Sequence, residues 1–213
     1  MKTDDLISML ASGAEHELAG DPWRRLVLAI GFGTIVSTIL MMKAIPVNPA
    51  LGTAMRLLEF WERLGFAASI AAISLLLVIR LSQPGVLIGK AALALVAPVL
   101  AIWILAGIAF ADAEPGQRAA LFFGNTWKVC SFLITMLASP VFAASFWALR
   151  DFAPTRLRLA GAAAGLFSGA VGAVVYCFHC PELDAPFIAF WYLLGILIPA
   201  AAGALIGPRL LRW

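Results

Sequence analysis

The run AALALVAPVLAIWILAGIAFA, residues 91–111, carries no charge and no alternation of polar with apolar residues. A helix of that length is about 30 Å long, the thickness of the hydrocarbon core of a bilayer. In lipid the backbone has no water to bond to, so a spanning segment is a helix or a strand of a closed barrel. Barrel strands alternate apolar and polar side chains over about ten residues. This run does not, and the helix is the reading that survives. The whole chain agrees with it: 62% of the 213 residues are hydrophobic and 13% are charged, about half the charge of a soluble domain.

Five further runs outward from this one read the same way: residues 26–45, 57–79, 129–149, 159–178 and 187–206. Pro46 and Pro181 close the first and fifth, because the residue before a proline is pushed out of helical geometry. Pro98, Pro140 and Pro199 fall inside spans, where proline is tolerated. The expected fold is all-α, an integral membrane six-helix bundle over residues 23–213 with a short cytoplasmic amphipathic segment over residues 1–22. Asp4 and Asp5 stand where a secretory leader needs positive charge, so the first span reads as an uncleaved anchor.

The basic residues orient the bundle. Lys2, Arg24, Arg25, Arg80, Lys90, Arg150, Arg156, Arg158, Arg209 and Arg212 fall on the side of the N-terminus. Lys43, Arg56, Arg63, Arg118 and Lys128 fall on the other side, a ratio of ten to five. The positive-inside rule then puts both termini in the cytoplasm. Glu59 and Arg63, spaced i,i+4 at the start of the second span, read as an interfacial ion pair. No basic cluster with interleaved aromatics occurs, which argues against direct nucleic-acid contact.

This orientation gathers the sulfur chemistry at one face. Cys130 opens the fourth span, while Cys177 and Cys180 end the fifth, in the stretch Val175-Tyr176-Cys177-Phe178-His179-Cys180-Pro181-Glu182. All three thiols therefore belong to the outer side, facing the oxidising compartment of a bacterium. They are candidates for disulfide formation, transient soft-metal capture or oxidant sensing. His179 and Glu182 stand beside them as possible metal ligands or tuners of thiol reactivity. Cys177 and Cys180 also form C-x-x-C, which makes a membrane thiol–disulfide oxidoreductase the alternative reading; only Cys130 is left to relay electrons to that pair. A transporter wants polar groups at mid-membrane, and the spans offer almost none.

Two other patterns bear on mechanism. Gly161, Gly165 and Gly169 form a stripe spaced for close helix packing, and Gly203 with Gly207 repeats it. In the N-terminal segment Thr3 is placed to cap a helix, and Leu6, Ile7, Leu10, Ala14 and Leu18 share one face. Up to Asp21 that segment carries Lys2 against Asp4, Asp5, Glu15, Glu17 and Asp21, a net charge of −4. Amphipathic helices that bind bilayers are usually basic, so this acidic one suits a basic protein partner.

Taken together, the opening Lys2-Thr3-Asp4-Asp5-Leu6-Ile7 with Leu10, the six spans, Trp127 with Cys130, and His179-Cys180-Pro181-Glu182 before Trp191-Tyr192 resemble the NrsF-like membrane anti-sigma factors. The resemblance covers essentially the whole chain. It implies a regulator, not an enzyme, in the inner membrane of a proteobacterium and without a resident cofactor. It implies that the N-terminal segment (Thr3, Asp4, Asp5, Leu6, Ile7, Leu10) holds an extracytoplasmic-function sigma factor. It implies two functional outer cysteines, which map onto Cys130 and Cys180; Cys177 lies outside the pattern. Besides the sigma factor and the lipid bilayer, a second copy of the chain stays among the candidate partners.

Overall fold

Pro22 opens the first of the described helices, its preset φ and missing N–H both suited to the first helical position. In the computed structural model, which describes residues 22–83, 89–152 and 154–212, six long helices follow one another and no strand occurs among the described residues. They are α1 (Pro22–Ala44), α2 (Leu58–Ser82), α3 (Val96–Asp112), α4 (Trp127–Leu149), α5 (Leu157–Tyr176) and α6 (Leu193–Leu210). Short turns lengthen several of them. Leu93–Leu95 precedes α3, Arg118–Phe123 precedes α4, and Ala185–Phe187 with the wide π turn Ile188–Tyr192 leads into α6. Each of the six units is long and apolar enough to cross a membrane. The proposed sigma-binding residues Thr3, Asp4, Asp5, Leu6, Ile7 and Leu10 lie outside the described residues.

Helix α5 is the axis. It has 78% of its span buried against 11% for the α3 unit, and it packs on α6, α2 and α4. The glycine stripe explains how α6 comes so near. A Cβ on Gly161 would run into the carbonyl of Gly203, and one on Gly165 into that of Pro199. One on Gly169 would sit 2.6 Å from the carbonyl of Ile196. Further along α5, Gly172 meets α4 the same way, 2.7 Å from the Ile134 carbonyl. Helix α1 lies outside α4, with Gly33 against Val141 and Pro140.

The internal prolines have local remedies. Pro140 withdraws the N–H that would bond to Met136, and the Ser139 hydroxyl donates to the Met136 carbonyl instead (2.7 Å). The neighbouring Leu137 carbonyl accepts from Ser37 of α1 (2.7 Å), which ties the two helices together at the proline. Pro98 is the third residue of α3, in a first turn whose N–H groups lack helical partners, and costs little there.

Several boundaries differ from expectation. The fifth helix ends at Tyr176 rather than at residue 178, because Cys177, Phe178, His179 and Cys180 already turn back on carbonyls of residues 173–176. The sixth unit starts earlier than residue 187 and runs past residue 206 to Leu210. The chain crosses the bundle along α1 in 23 residues, a rise of about 33 Å. Pro22 thus stands at one end of the molecule, and Pro46 reaches the turn after α5 at the other.

Candidate functional site

The turn after α5 leaves carbonyls without helical donors. Three of them, from Cys177, Cys180 and Glu182, point at one side chain. Arg63, in the second turn of α2, donates from Nη2 to Cys177 O (2.8 Å) and from Nη1 to Cys180 O (3.0 Å) and Glu182 O (2.5 Å). The guanidinium has no exposed surface, and its Nε has no partner among the described residues. The Phe60 and Tyr192 rings flank it, with centroids 5.5 and 5.9 Å from Cζ. This corrects the expected interfacial pair. Glu59 remains exposed at the start of α2, while Arg63 enters the protein and meets no carboxylate among the described residues. Backbone dipoles hold this cation in place of a counter-ion.

Around it lie the three cysteines. Cys130 sits in the first turn of α4 with its N–H on Thr126 O (3.0 Å). It belongs to the same buried cluster as Cys177 and Cys180. All three are free thiols and none has more than 1% of its surface exposed. The thiols therefore do not face a compartment directly, as the sequence suggested; they are sealed within the end of the bundle. Two tyrosines share the pocket, with rings 5.7 Å apart. The Tyr176 hydroxyl lies by Cys130 and Cys180, and that of Tyr192 by Cys177 and Arg63. Both hydroxyls are buried and neither completes a hydrogen bond of good geometry among the described residues.

His179 and Glu182 turn elsewhere. His179 Nδ1–H donates to Pro46 O (2.6 Å), and Asn48 N–H donates to Phe178 O (3.2 Å), so the α1–α2 loop docks on the turn. The Glu182 carboxylate accepts from Asn125 N–H (2.7 Å). It also fills the space over Gly124, whose φ of +51° belongs to the left-handed region that glycine adopts freely. That contact docks the α3–α4 connection. Among the described residues no group of three His, Cys, Asp or Glu side chains is placed to hold a metal ion. Next along the chain, burial raises the Asp184 pKa above the usual carboxylate range, and the nearby charges of Glu182 and Glu59 add to the shift. An aromatic belt closes this end: Trp191 Nε1–H donates to Phe122 O (2.9 Å), and the Trp127 and Trp191 rings lie 5.3 Å apart.

Sequence reading brought the cysteines to one end but missed Arg63, Tyr176 and Tyr192. A signal for Arg63 was present. Phe60, Arg63, Ala67 and Ile70 occupy one helical stripe, and every other member is buried and apolar. An arginine on that stripe points inward.

Fold and site together define a class: a six-span helical bundle whose one end encloses a cluster of free thiols around a buried arginine held by backbone carbonyls. No solved structure matches this chain. Its residues 10–213 match the NrsF family, described as "Negative regulator of sigma F", and the chain belongs to that family. It is 54% identical over 213 residues to a probable anti-sigma-F factor NrsF of Azospira oryzae, with all of both chains covered. It is 40% identical over 215 residues to the anti-sigma-F factor NrsF of Caulobacter vibrioides, again with all of both chains covered.

Proposed function

We propose that this chain is an anti-sigma factor of the inner membrane that holds an extracytoplasmic-function sigma factor through residues 1–22 and frees it under thiol-directed stress. Its family and full-length relatives support the anti-sigma role. The acidic, one-sided N-terminal segment suits a basic, DNA-binding partner. The apolar outer faces, with Leu205, Phe32 and Phe132 all more than two-thirds exposed, suit a lipid environment. The excess of Lys and Arg on the N-terminal side supports cytoplasmic termini.

The observation that carries the sensing half is the convergence of Cys130, Cys177 and Cys180 in one buried cluster, at the opposite end of α1 from residue 22. In this reading a peroxide converts the Cys130 and Cys180 thiols to a disulfide and is itself reduced to water, with the protons and electrons of both thiols consumed. The new bond repacks α4 against the turn after α5, and the second bundle state grips the sigma factor less well, as coupling between two sites requires. Soft-metal capture by the same thiols is the other trigger. The metal reading needs further ligands, and His179 and Glu182 are engaged with Pro46 and Asn125. The oxidoreductase reading is weaker, because thiol exchange needs a sulfur that a substrate can attack, and Cys177 and Cys180 are both buried.

The test is a pull-down from membranes with the full chain and with a form lacking residues 1–12, the captured protein being identified by mass. Sigma factor on the full chain and none on the shortened one is expected. Equal capture by both rejects the assignment of the binding segment.

A further inference from the structure

A groove of about 880 Å³ runs between α1 and α4 at the end of the bundle away from the thiols. Its mouth is Arg24, Arg25 and Trp147, and its walls are Leu28, Phe32 and Val36 facing Pro140, Ala143 and Ala144. Arg25 pairs with Asp151 (2.5 Å) and stacks on Trp147 with Cζ 3.8 Å from the ring centroid. Arg24 is exposed and makes no ion pair among the described residues. From Arg24 to Val36 the groove descends about 18 Å along α1, more than half of a hydrocarbon core.

We propose that this groove is a binding site for one anionic phospholipid, with its phosphate on Arg24 and an acyl chain lying over Ala143 between Phe32 and Pro140. Three properties select that occupant. The volume is within the range of ligand sites, roughly 300–1,000 Å³. A cation at the mouth with apolar walls below matches a phosphodiester above an acyl chain, and basic pockets between membrane helices bind anionic headgroups in this way. The competing occupants fit poorly. Residues 1–21 carry five carboxylates, which do not enter hydrocarbon. A second copy docking by a two-fold axis would set Arg24 and Arg25 against their like. The site rests on the membrane reading alone and needs neither the sigma factor nor the thiols.

The experiment uses the full chain in detergent micelles, titrated with phosphatidylglycerol or phosphatidylcholine, and native mass spectrometry counts bound lipid. Entry into micelles is scored first, which separates failure of the membrane reading from failure of this one. One phosphatidylglycerol per chain is expected, held about fivefold more tightly than phosphatidylcholine, the typical effect of one basic residue at a membrane surface. Arg24→Gln should abolish the preference, Ala143→Phe should weaken both lipids by filling the groove, and Arg212→Gln, a cation outside it, should change neither. Equal binding of the two lipids overturns the site, as does a preference that survives Arg24→Gln or is lost equally in Arg212→Gln. Inorganic phosphate that displaces phosphatidylglycerol at low millimolar concentration overturns the acyl-chain half. A dimer that Ala143→Phe dissociates would assign the groove to a second copy instead.

Discussion

Replacing Arg63 by methionine removes the guanidinium and keeps most of the apolar stem. Three buried carbonyls, those of Cys177, Cys180 and Glu182, then lose their donor. Each orphaned acceptor costs about 1–3 kcal/mol, so the gross loss is about 3–9 kcal/mol for the three. Against this, the folded state no longer desolvates a cation, which returns several kcal/mol. The net destabilisation is about 2–4 kcal/mol, the gross loss less the desolvation regained. Arg63→Lys should fall near the lower end, because one ammonium cannot span three carbonyls held by a planar fork. The assay has two arms on the full chain in detergent: the thermal unfolding midpoint, and the number of cysteines alkylated by N-ethylmaleimide below that midpoint, read from intact mass. The native chain should protect its three thiols. The Met variant should unfold at lower temperature and expose Cys177 and Cys180 before Cys130, since only the turn has lost its anchor. An Arg63→Met chain with unchanged midpoint and unchanged protection would refute the assignment of Arg63 as the clamp.

The other predictions concern the same bundle. Gly165→Ala should destabilise by about 1–3 kcal/mol, the usual cost of overpacking, because its Cβ overlaps the Pro199 carbonyl. Gly107→Ala, which meets nothing within 4 Å, should be neutral or slightly stabilising in the same melting experiment. Asp184→Asn should raise the unfolding midpoint at pH 7. The folded state holds the Asp184 pKa up, so its charge is a penalty above that pKa and is relieved as pH falls through it. The gain should therefore vanish below the ordinary aspartate pKa of about 3.9, and a gain that persists there would point to packing instead. Cys130→Ser with Cys180→Ser should abolish peroxide-triggered loss of the sigma factor in the pull-down while leaving resting capture unchanged. Release that continues in the double variant removes the thiols from the mechanism.

The six spans were legible in the chain because membrane helices are a local matter. A run such as residues 91–111 satisfies its own backbone and meets lipid whatever its neighbours do, so length and composition suffice. The gathering of Cys130 with Cys177 and Cys180 at one end followed from counting spans. Helix packing was partly legible, since Gly161, Gly165 and Gly169 announce a close neighbour, but nothing in the stripe names α6 as that neighbour. Tertiary structure alone decided the rest. Arg63 finds its acceptors more than one hundred residues away, on a turn whose free carbonyls arise only because α5 stops at Tyr176. Glu182 reaches Asn125 and His179 reaches Pro46 across loops that sequence spacing does not relate. Hydrophobic length is written into each segment separately. The destination of a polar side chain depends on which unsatisfied groups the packed helices bring to it.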